Sequence, residues 1–345
     1  MKLVEEKMRF IFVLVAFSCL PIAAAAHHSR SEFSDRELEL EGELIEVAWR
    51  NPHPLFNIRS ISDNGEEQVW RLEAYGNALT LQRTGVSGEM FVPGSQVRVF
   101  GRVSDRRDRV MLTSHIQLHD GTEAVLEYEA GPHWSENAVG GRDSWVIDEA
   151  VLRRAADENR GIFRVWSIPR RGLEREHFPY NAAALAARAE WDPLDNFLRR
   201  CESHGMPSIM RSSQPMEFVE DGDAILIRMQ FFNVVRTVHM RDVDDAEDQA
   251  ASKFGYSAGR WEDDNTLVIE TTHINWPYAD LGGAPLSEDA RILERLTLSD
   301  DQSRLDYHMT IIDPAYLTEP ATLDRYWLAL GLEVQHYECV VEQNI

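Results

Sequence analysis

Two adjacent histidines follow a stretch of alanines near the start of the chain. If the residues before them are removed, His27 presents a free amine beside its imidazole, and His28 or His53 could supply a further nitrogen. Removal of one residue fewer gives Ala26-His27-His28, whose amine, backbone amides and second imidazole could form a square-planar site. Cu(II) favours such tetragonal nitrogen donors. The pattern predicts either a copper site on His27, His28 and His53 or a solvated terminus.

A third histidine lies between two prolines. Pro52 and Pro54 restrict the backbone around His53, so they could hold its imidazole rigidly for a ligand or metal. The alternative is a turn in which the prolines are structural and the histidine faces water. Glu73, on a predicted strand, is either a hydrogen-bonded partner of His53 or a lone surface carboxylate.

Acid–base residues also recur in the second half of the chain. A histidine oriented by a carboxylate is the minimum apparatus for general acid–base catalysis. If Glu270 points into an apolar interior, burial raises its pKa, and the acid could then protonate a bound molecule; on the outer face it is an ordinary surface residue. The candidate catalytic residues are Glu270, His273, His308 and Asp313.

Familiar catalytic signatures are missing from the sequence. It has no Gly-x-Ser-x-Gly elbow, no His-Glu-x-x-His zinc motif, no phosphate-binding Gly-rich loop and no dinucleotide fingerprint. Serine hydrolases, zinc proteases, nucleotide hydrolases and Rossmann enzymes are therefore disfavoured. Whether the protein is an enzyme stays open.

Charge and targeting signals limit the partners and the compartment. The 345 residues include 58 acidic and 35 basic side chains, a formal net charge of −23, which disfavours nucleic acids and anionic membrane surfaces as partners. Residues 1–26 have the basic start, apolar run and small-residue end of an export signal. No later apolar stretch is long enough to span a bilayer. We expect a periplasmic or secreted protein, in which Cys201 and Cys339 pair.

The elements predict a mainly β fold with two domains. Five predicted strands between residues 37 and 121, with a short helix after the third, have the order of an OB-type barrel. From residue 216 onward, seven or eight strands joined by short polar turns predict a larger antiparallel, calycin-like barrel, a type that often encloses one small ligand. The expected layout is a signal peptide at 1–26, an OB-like domain at 27–121, a connecting region with short helices at 122–215 and the barrel at 216–345.

Several short motifs are more specific than these general patterns. In the N-terminal half they are His27-His28-Ser29, Gly42-Glu43-Leu44, Trp49-Arg50-Asn51-Pro52-His53-Pro54, Trp70-Arg71-Leu72-Glu73 and Pro93-Gly94. With these motifs this half resembles the DUF6152 family of exported bacterial proteins. The second half, through 161–166, 255–262 and Glu294-Arg295, resembles the uncharacterised domain that often accompanies that family. The resemblance implies export and a two-domain layout, and it carries no established activity.

Three functions are compatible with these observations. The first is a non-enzymatic exported protein that holds a small, largely apolar molecule in the C-terminal barrel, because this demands least of a chain without a catalytic signature. The second is a cofactor-independent isomerase, cyclase or hydratase that uses the four acid–base residues of the barrel. The third is a periplasmic copper protein. Only the third involves a cofactor, and the oligomeric state stays open.

Overall fold

The fold is mainly β and contains two sheets. The structure, a computed structural model, describes residues 32–62, 64–142, 147–169, 173–241 and 249–341, without the side chains of 173–175. The three α-helices are α1 (Ala78–Arg83), α2 (Glu149–Glu158) and α3 (Ala182–Glu190). Short 3-10 segments occur at Gly88–Met90, Pro193–Asp195, Phe197–Arg200, Ser208–Arg211 and Phe231–Asn233. Within these described ranges, no helix combines the length and apolar character needed to cross a membrane.

The first sheet forms a ring in the N-terminal part. Its strands are β1 (Phe33–Ala48), β2 (Leu55–Ile61), β3 (Glu67–Ala74), β4 (Gln96–Ser104), β5 (Val110–Gln117), β6 (Glu123–Val125) and β7 (Ala138–Gly140). Strand β1 pairs with β2 and β4, and β5 pairs with β4 and, in parallel, with β3, so the first five strands close on themselves. The predicted five strands and the helix after the third are confirmed. Strands β6 and β7, from the expected connecting region, extend the sheet.

Two glycines allow the strands of the ring to bend and approach one another. A Cβ on Gly42 would lie 2.4 Å from the carbonyl oxygen of Arg59 on β2. A Cβ on Gly101 would lie 2.2 Å from the carbonyl oxygen of Leu112 on β5. Only glycine fits at such close backbone contacts. These positions therefore help β1 and β4 to curl around the apolar interior of the ring.

The second sheet is a curled half-barrel of ten strands. They are β8 (Val165–Trp166), β9 (Leu173–His177), β10 (Met216–Asp221), β11 (Ala224–Met229), β12 (Val235–His239), β13 (Tyr256–Asp263), β14 (Thr266–Thr272), β15 (Arg291–Leu298), β16 (Arg304–Ile312) and β17 (Ala321–Leu328). The order is β8-β10-β11-β12-β13-β14-β15-β16-β17-β9. Strands β8 and β9 come from the expected connecting region.

The expectation of an entirely antiparallel sheet is wrong at one pair. Strands β12 and β13 are parallel, with Val238 opposite Ser257. Tight turns connect only antiparallel neighbours, whereas parallel strands need a longer crossover. The connection from 240 to 255 supplies that length, and the sequence reading treated it as an ordinary loop.

The concave side of the half-barrel is filled by the protein's own side chains. Alternate residues of β14 to β17 point inward and pack against the segment that connects the two sheets, through Phe197, Met206, Ile209 and Met210. Protein interiors pack to crystal-like density, so such a cluster leaves little free space. The interior of the sheet is therefore a core, and the open spaces that we describe below lie at its margin and on its outer face.

One buried polar network crosses the inner face. Arg236 on β12 donates to both carboxylate oxygens of Glu294 on β15, and both side chains are almost fully buried. The hydroxyls of Ser257 and Thr271 accept from the same guanidinium, and Tyr307 donates to Glu294 at 2.7 Å. Five neighbouring strands, β12 to β16, are thus linked through one charged pair.

Cys201 and Cys339 form the expected disulfide. Cys201, at the end of a 3-10 segment, is bonded to Cys339 near the C-terminus. Cys339 also forms a backbone bridge with Asn51 of the loop between β1 and β2. The disulfide therefore holds the C-terminal tail, residues 335–341, against both the connecting segment and the ring.

Removal of the buried counter-charge tests the network. We expect Glu294→Gln to lower the free energy of unfolding by about 3–5 kcal/mol, because the guanidinium of Arg236 stays buried without a compensating charge. Urea denaturation followed by circular dichroism measures the change. The matched control is Glu217→Gln, which removes the partner of Arg228 from an exposed pair and should have little effect. Equal losses in the two variants would contradict the role of the network.

Removal of the disulfide tests the attachment of the tail. The chain-entropy model predicts that Cys201→Ser/Cys339→Ser loses about 4–5 kcal/mol of unfolding free energy, since the bond closes a loop with a sequence separation of 138 residues. Reductant should lower the stability of the wild type toward that of the double variant and leave the variant unchanged. If reductant affects both proteins equally, the bond does not stabilise the fold in this way.

Candidate functional site

A cleft lies between the ring and the half-barrel, and we call it the central cleft. Its free volume of about 350 Å³ falls within the range of roughly 300–1,000 Å³ that is usual for small-molecule sites. The ring side contributes Pro52, His53, Asn77 and Tyr128. The opposite side contributes Leu198, Arg211, Gln214, Phe231, Arg325 and Tyr337, among others.

The loop between β1 and β2 carries His53 into this cleft. Its flanking prolines restrict the loop, and the peptide bond between Asn51 and Pro52 is cis. The Nδ1 atom of His53 lies 3.4 Å from the carbonyl oxygen of Gly76. His53 also lines a smaller pocket that adjoins the cleft. The structure thus places this histidine at a junction of two concave surfaces.

The C-terminal tail forms one wall of the central cleft. The side-chain amide of Asn233 donates to the carbonyl of Tyr337, and the backbone N–H of Tyr337 donates back to Asn233 Oδ1 at 2.8 Å. Asn51 donates to the carbonyl of Glu338, and its own carbonyl accepts from Val340. These contacts, with the disulfide, fix the position of Tyr337.

A chain of buried amides connects the two sides of the cleft. Gln214 donates to the hydroxyl of Thr80 on α1 at 2.8 Å and accepts from Gln230 at 2.7 Å. Gln230 in turn accepts from the backbone N–H of Gln335 in the tail. Buried polar groups with satisfied hydrogen bonds favour one arrangement over alternatives. The relative position of the ring, the half-barrel and the tail is therefore specified.

Arg325 is a buried cation in the wall of the cleft. It lies on the inner face of β17, is 5% exposed, and donates through Nη1 to the carbonyls of Met210 and Ser212 at 2.7 and 3.3 Å. Among the described residues no carboxylate lies within 4 Å of it, and its Nε has no hydrogen-bond partner. Burial, together with the charge of Arg211, lowers the pKa of Arg325 to about 10.

Arg211 and Tyr337 also line the cleft, and they differ in whether they have hydrogen-bond partners. Arg211 is paired, because its Nη2 lies 2.7 and 2.8 Å from the two carboxylate oxygens of Glu176. Tyr337 is 2% exposed, and its hydroxyl has no hydrogen-bond partner within the described ranges. Burial raises the pKa of this phenol, so it stays a neutral donor at physiological pH. The Nε atom of Arg325 and the hydroxyl of Tyr337 are therefore buried donor atoms without a hydrogen-bond partner among the described residues.

Glu73 lies in the smaller pocket beside the cleft. Its Oε2 is 3.3 Å from Nη2 of Arg107, which also binds Glu32 at 2.6 Å. Burial tends to raise the pKa of Glu73, but the charges of His53, Arg107 and Arg199 outweigh it and lower the pKa overall. Glu73 is thus a half-buried, paired carboxylate that interacts electrostatically with His53.

The structure separates the four candidate catalytic residues. Glu270 and His308 line a shallow groove on the outer face of β13 to β16, with a volume of about 390 Å³. Each is held by its own partner: Arg291 donates to Glu270 at 2.9 Å, and Nδ1 of His308 lies 2.6 Å from Asp324.

The other two residues of that set lie outside the groove. His273 follows β14 with a positive φ of 54° and contacts the hydroxyl of Thr272. Asp313 is buried and accepts from the backbone and hydroxyl of Ser287. That arrangement resembles a structural turn.

Of the predicted copper ligands, only His53 belongs to the described part of the chain. His27 and His28 lie outside it. Within the described residues, no group of three or more histidine, cysteine, aspartate or glutamate side chains is arranged to hold a metal ion. The copper site therefore stays a prediction.

Sequence reasoning missed Arg325 and Tyr337 in the wall of the cleft. One signal was available: Ala321, Leu323 and Trp327 mark the buried face of β17, and Arg325 falls on the same face of an alternating strand. A lone arginine among inward-facing apolar residues is unusual. Nothing comparable marks Tyr337, because it lies outside any regular element.

The lowered pKa of Glu73 predicts a pH-dependent contribution to stability. Its ionised form is favoured in the folded state, so the stabilisation is present above its ordinary value of 4.5 and is lost as the pH falls through the folded-state pKa. We expect Glu73→Gln to be less stable than the wild type near neutral pH, and the difference to shrink below pH 4.5. Denaturation curves across this range provide the test. A difference that stays constant into the acid range would contradict the assignment.

Comparison with known protein families gives a match in the N-terminal part of the chain. No curated protein matches the chain. One family model matches over a range that includes β1 to β4 and the start of β5, together with His53 and Glu73, and ends before the half-barrel. Residues 15–111 thus match DUF6152, a family of unknown function, as the motifs of this part of the chain predict.

Proposed function

We propose that this protein is an exported, non-enzymatic binding protein that holds a small, largely apolar molecule in the central cleft. The observation that carries the proposal is the cleft itself, a concave space of about 350 Å³ between the ring and the half-barrel. Small-molecule sites favour such positions, with an apolar lining and a few polar groups that orient the ligand.

The lining of the cleft includes apolar and aromatic side chains that can pack against the apolar part of a ligand. Phe231 packs edge-on against Tyr337, with ring centroids 5.4 Å apart, and Leu198, Leu281 and Pro52 complete this surface. Aromatic rings offer large contact areas at low entropic cost. The polar side chains of the lining, among them Asn77, Gln214 and Arg325, lie at definite positions, which supports recognition of one part of the ligand.

The location differs from the one expected from the sequence. A ligand inside the half-barrel would compete with the apolar core that fills its concave side, so we place it in the cleft at the margin of that sheet. The strand order of the ring supports its interpretation as an OB-type barrel, and the curled ten-stranded sheet supports a calycin-like one. Fold types of this kind host many functions, so the proposal depends on the site.

Export is part of the proposal. The arrangement of residues 1–26 favours a signal peptide, and the Cys201–Cys339 bond suits an oxidising compartment. A protein that leaves the cytoplasm with a ligand cleft and without a catalytic signature fits the capture of a small molecule in the periplasm or medium.

The acid–base enzyme is the second candidate. Glu270 and His308 face the same outer groove, which favours it to that extent. The groove is open to solvent, however, and each residue already has a partner. Glu270 is paired with Arg291, and His308 is paired with Asp324. General acid–base work on a sequestered substrate needs a more enclosed site than this. We therefore place it below ligand binding.

A neutral fluorescent probe tests ligand binding in the central cleft. We expect N-phenyl-1-naphthylamine to fluoresce more strongly with the full chain and Leu198→Trp to weaken this effect, because the larger ring occupies the cleft. The matched control is Leu185→Trp, on an exposed face of α3 away from the cleft. No enhancement with the wild type, or equal effects of the two substitutions, would overturn the proposal.

A further inference from the structure

We propose that the ligand carries one carboxylate and that Arg325 binds it, with Tyr337 as a second donor. This inference rests on the proposed function and specifies the chemical class of the ligand. It requires that the central cleft contain a cation that no carboxylate of the described residues neutralises.

Two other buried arginines among the described residues each have a carboxylate partner, in contrast to Arg325. Arg236 has Glu294, and Arg164 has Glu158 at 3.9 Å. Arg325 is as deeply buried as these and has no carboxylate within 4 Å among the described residues. A buried charge without a counter-charge is costly to the folded protein. A ligand carboxylate would provide the counter-charge that no described residue places beside Arg325.

The hydrogen-bond pattern indicates which atoms bind. Nη1 of Arg325 is used by two backbone carbonyls, whereas Nε has no hydrogen-bond partner in the described part of the chain. A carboxylate can accept two parallel hydrogen bonds from one edge of a guanidinium. Tyr337 lines the same cleft, and its hydroxyl, which has no hydrogen-bond partner among the described residues, is the third donor of the proposed site.

The charge balance favours a single carboxylate over a multiply charged anion. Arg211, the other arginine of this group, is neutralised by Glu176. One uncompensated guanidinium matches one negative charge, and the net charge of −23 on the whole chain opposes polyanions. The aromatic and aliphatic wall suits the apolar body of a medium-chain or aromatic monocarboxylic acid.

Three probes with one chain length separate head-group chemistry from apolar binding. Isothermal titration calorimetry with octanoate, octanamide and octylammonium should give octanoate an affinity at least about tenfold higher than the other two, since charge-assisted hydrogen bonds to a buried cation exceed neutral ones. Equal affinities for octanoate and octanamide would overturn the inference.

Substitutions then assign the effect to particular atoms. Arg325→Met should lower octanoate affinity at least about tenfold and leave octanamide affinity almost unchanged. Tyr337→Phe removes a hydroxyl without a partner, so it should keep the stability of the wild type and weaken octanoate binding severalfold. The control is Tyr326→Phe, on the opposite face of β17, where Arg304 stacks on the ring. If octanoate binds equally to all three variants and the wild type, Arg325 is not its site.

Two further outcomes are distinguishable. If Arg325→Met does not fold, Arg325→Lys replaces it as the test variant. The lysine keeps the charge and loses the planar fork, so this variant should retain selectivity for octanoate with weaker affinity. Loss of the preference for octanoate over octylammonium would contradict the proposal.

If the neutral fluorescent probe binds in the cleft and octanoate shows no preference, the inference fails and the proposed function stands. If neither probe binds, the proposed function fails as well.

Discussion

The need to compensate buried positive charge determines much of this structure. Arg236 is placed deep in the half-barrel because Glu294 and the hydroxyls of Ser257 and Thr271 accept its hydrogen bonds, and Arg107 joins Glu32 to Glu73 beside the ring. Taking a guanidinium out of water costs several kcal/mol unless an anion and hydrogen bonds replace the solvent. Arg325 meets this requirement only in part among the described residues, and it lines the central cleft. The unmet requirement distinguishes that cleft from the outer groove, where Glu270 and His308 are already paired.

Contacts between the two sheets hold the walls of the central cleft around Arg325 in fixed positions, and they thereby define a binding site. The amide chain from Thr80 through Gln214 and Gln230, the Asn233–Tyr337 clamp and the disulfide all converge on the walls of the central cleft. Each fixes a different wall: the ring, the connecting segment or the tail. A binding site needs its polar groups held by a supporting shell, and here the shell is built from buried hydrogen bonds and one covalent bond.

The sequence predicted the parts of this fold that depend on local pattern. The strands of the ring, the helix capped by Asn77 and the Cys201–Cys339 pair follow from alternation, turn residues and cysteine count. The parallel pairing of β12 with β13 did not follow, because strand pairing across a long connection depends on tertiary packing. The site was harder still. His53 could be noted as a constrained histidine, but Arg325 and Tyr337 line one cleft only because the tail folds back across it, and no local signal encodes that arrangement.

The proposed binding mode has a carboxylate against Arg325 within the cleft. Diffraction data from crystals of the full chain grown with 8-bromooctanoate, collected at the bromine absorption edge, would locate both ends of the molecule. The account predicts a bromine peak along the apolar wall near Phe231 and carboxylate density at the Nε edge of Arg325. Bromine on the outer face of the sheet with no density in the cleft, or a molecule whose carboxylate points away from Arg325, would contradict it.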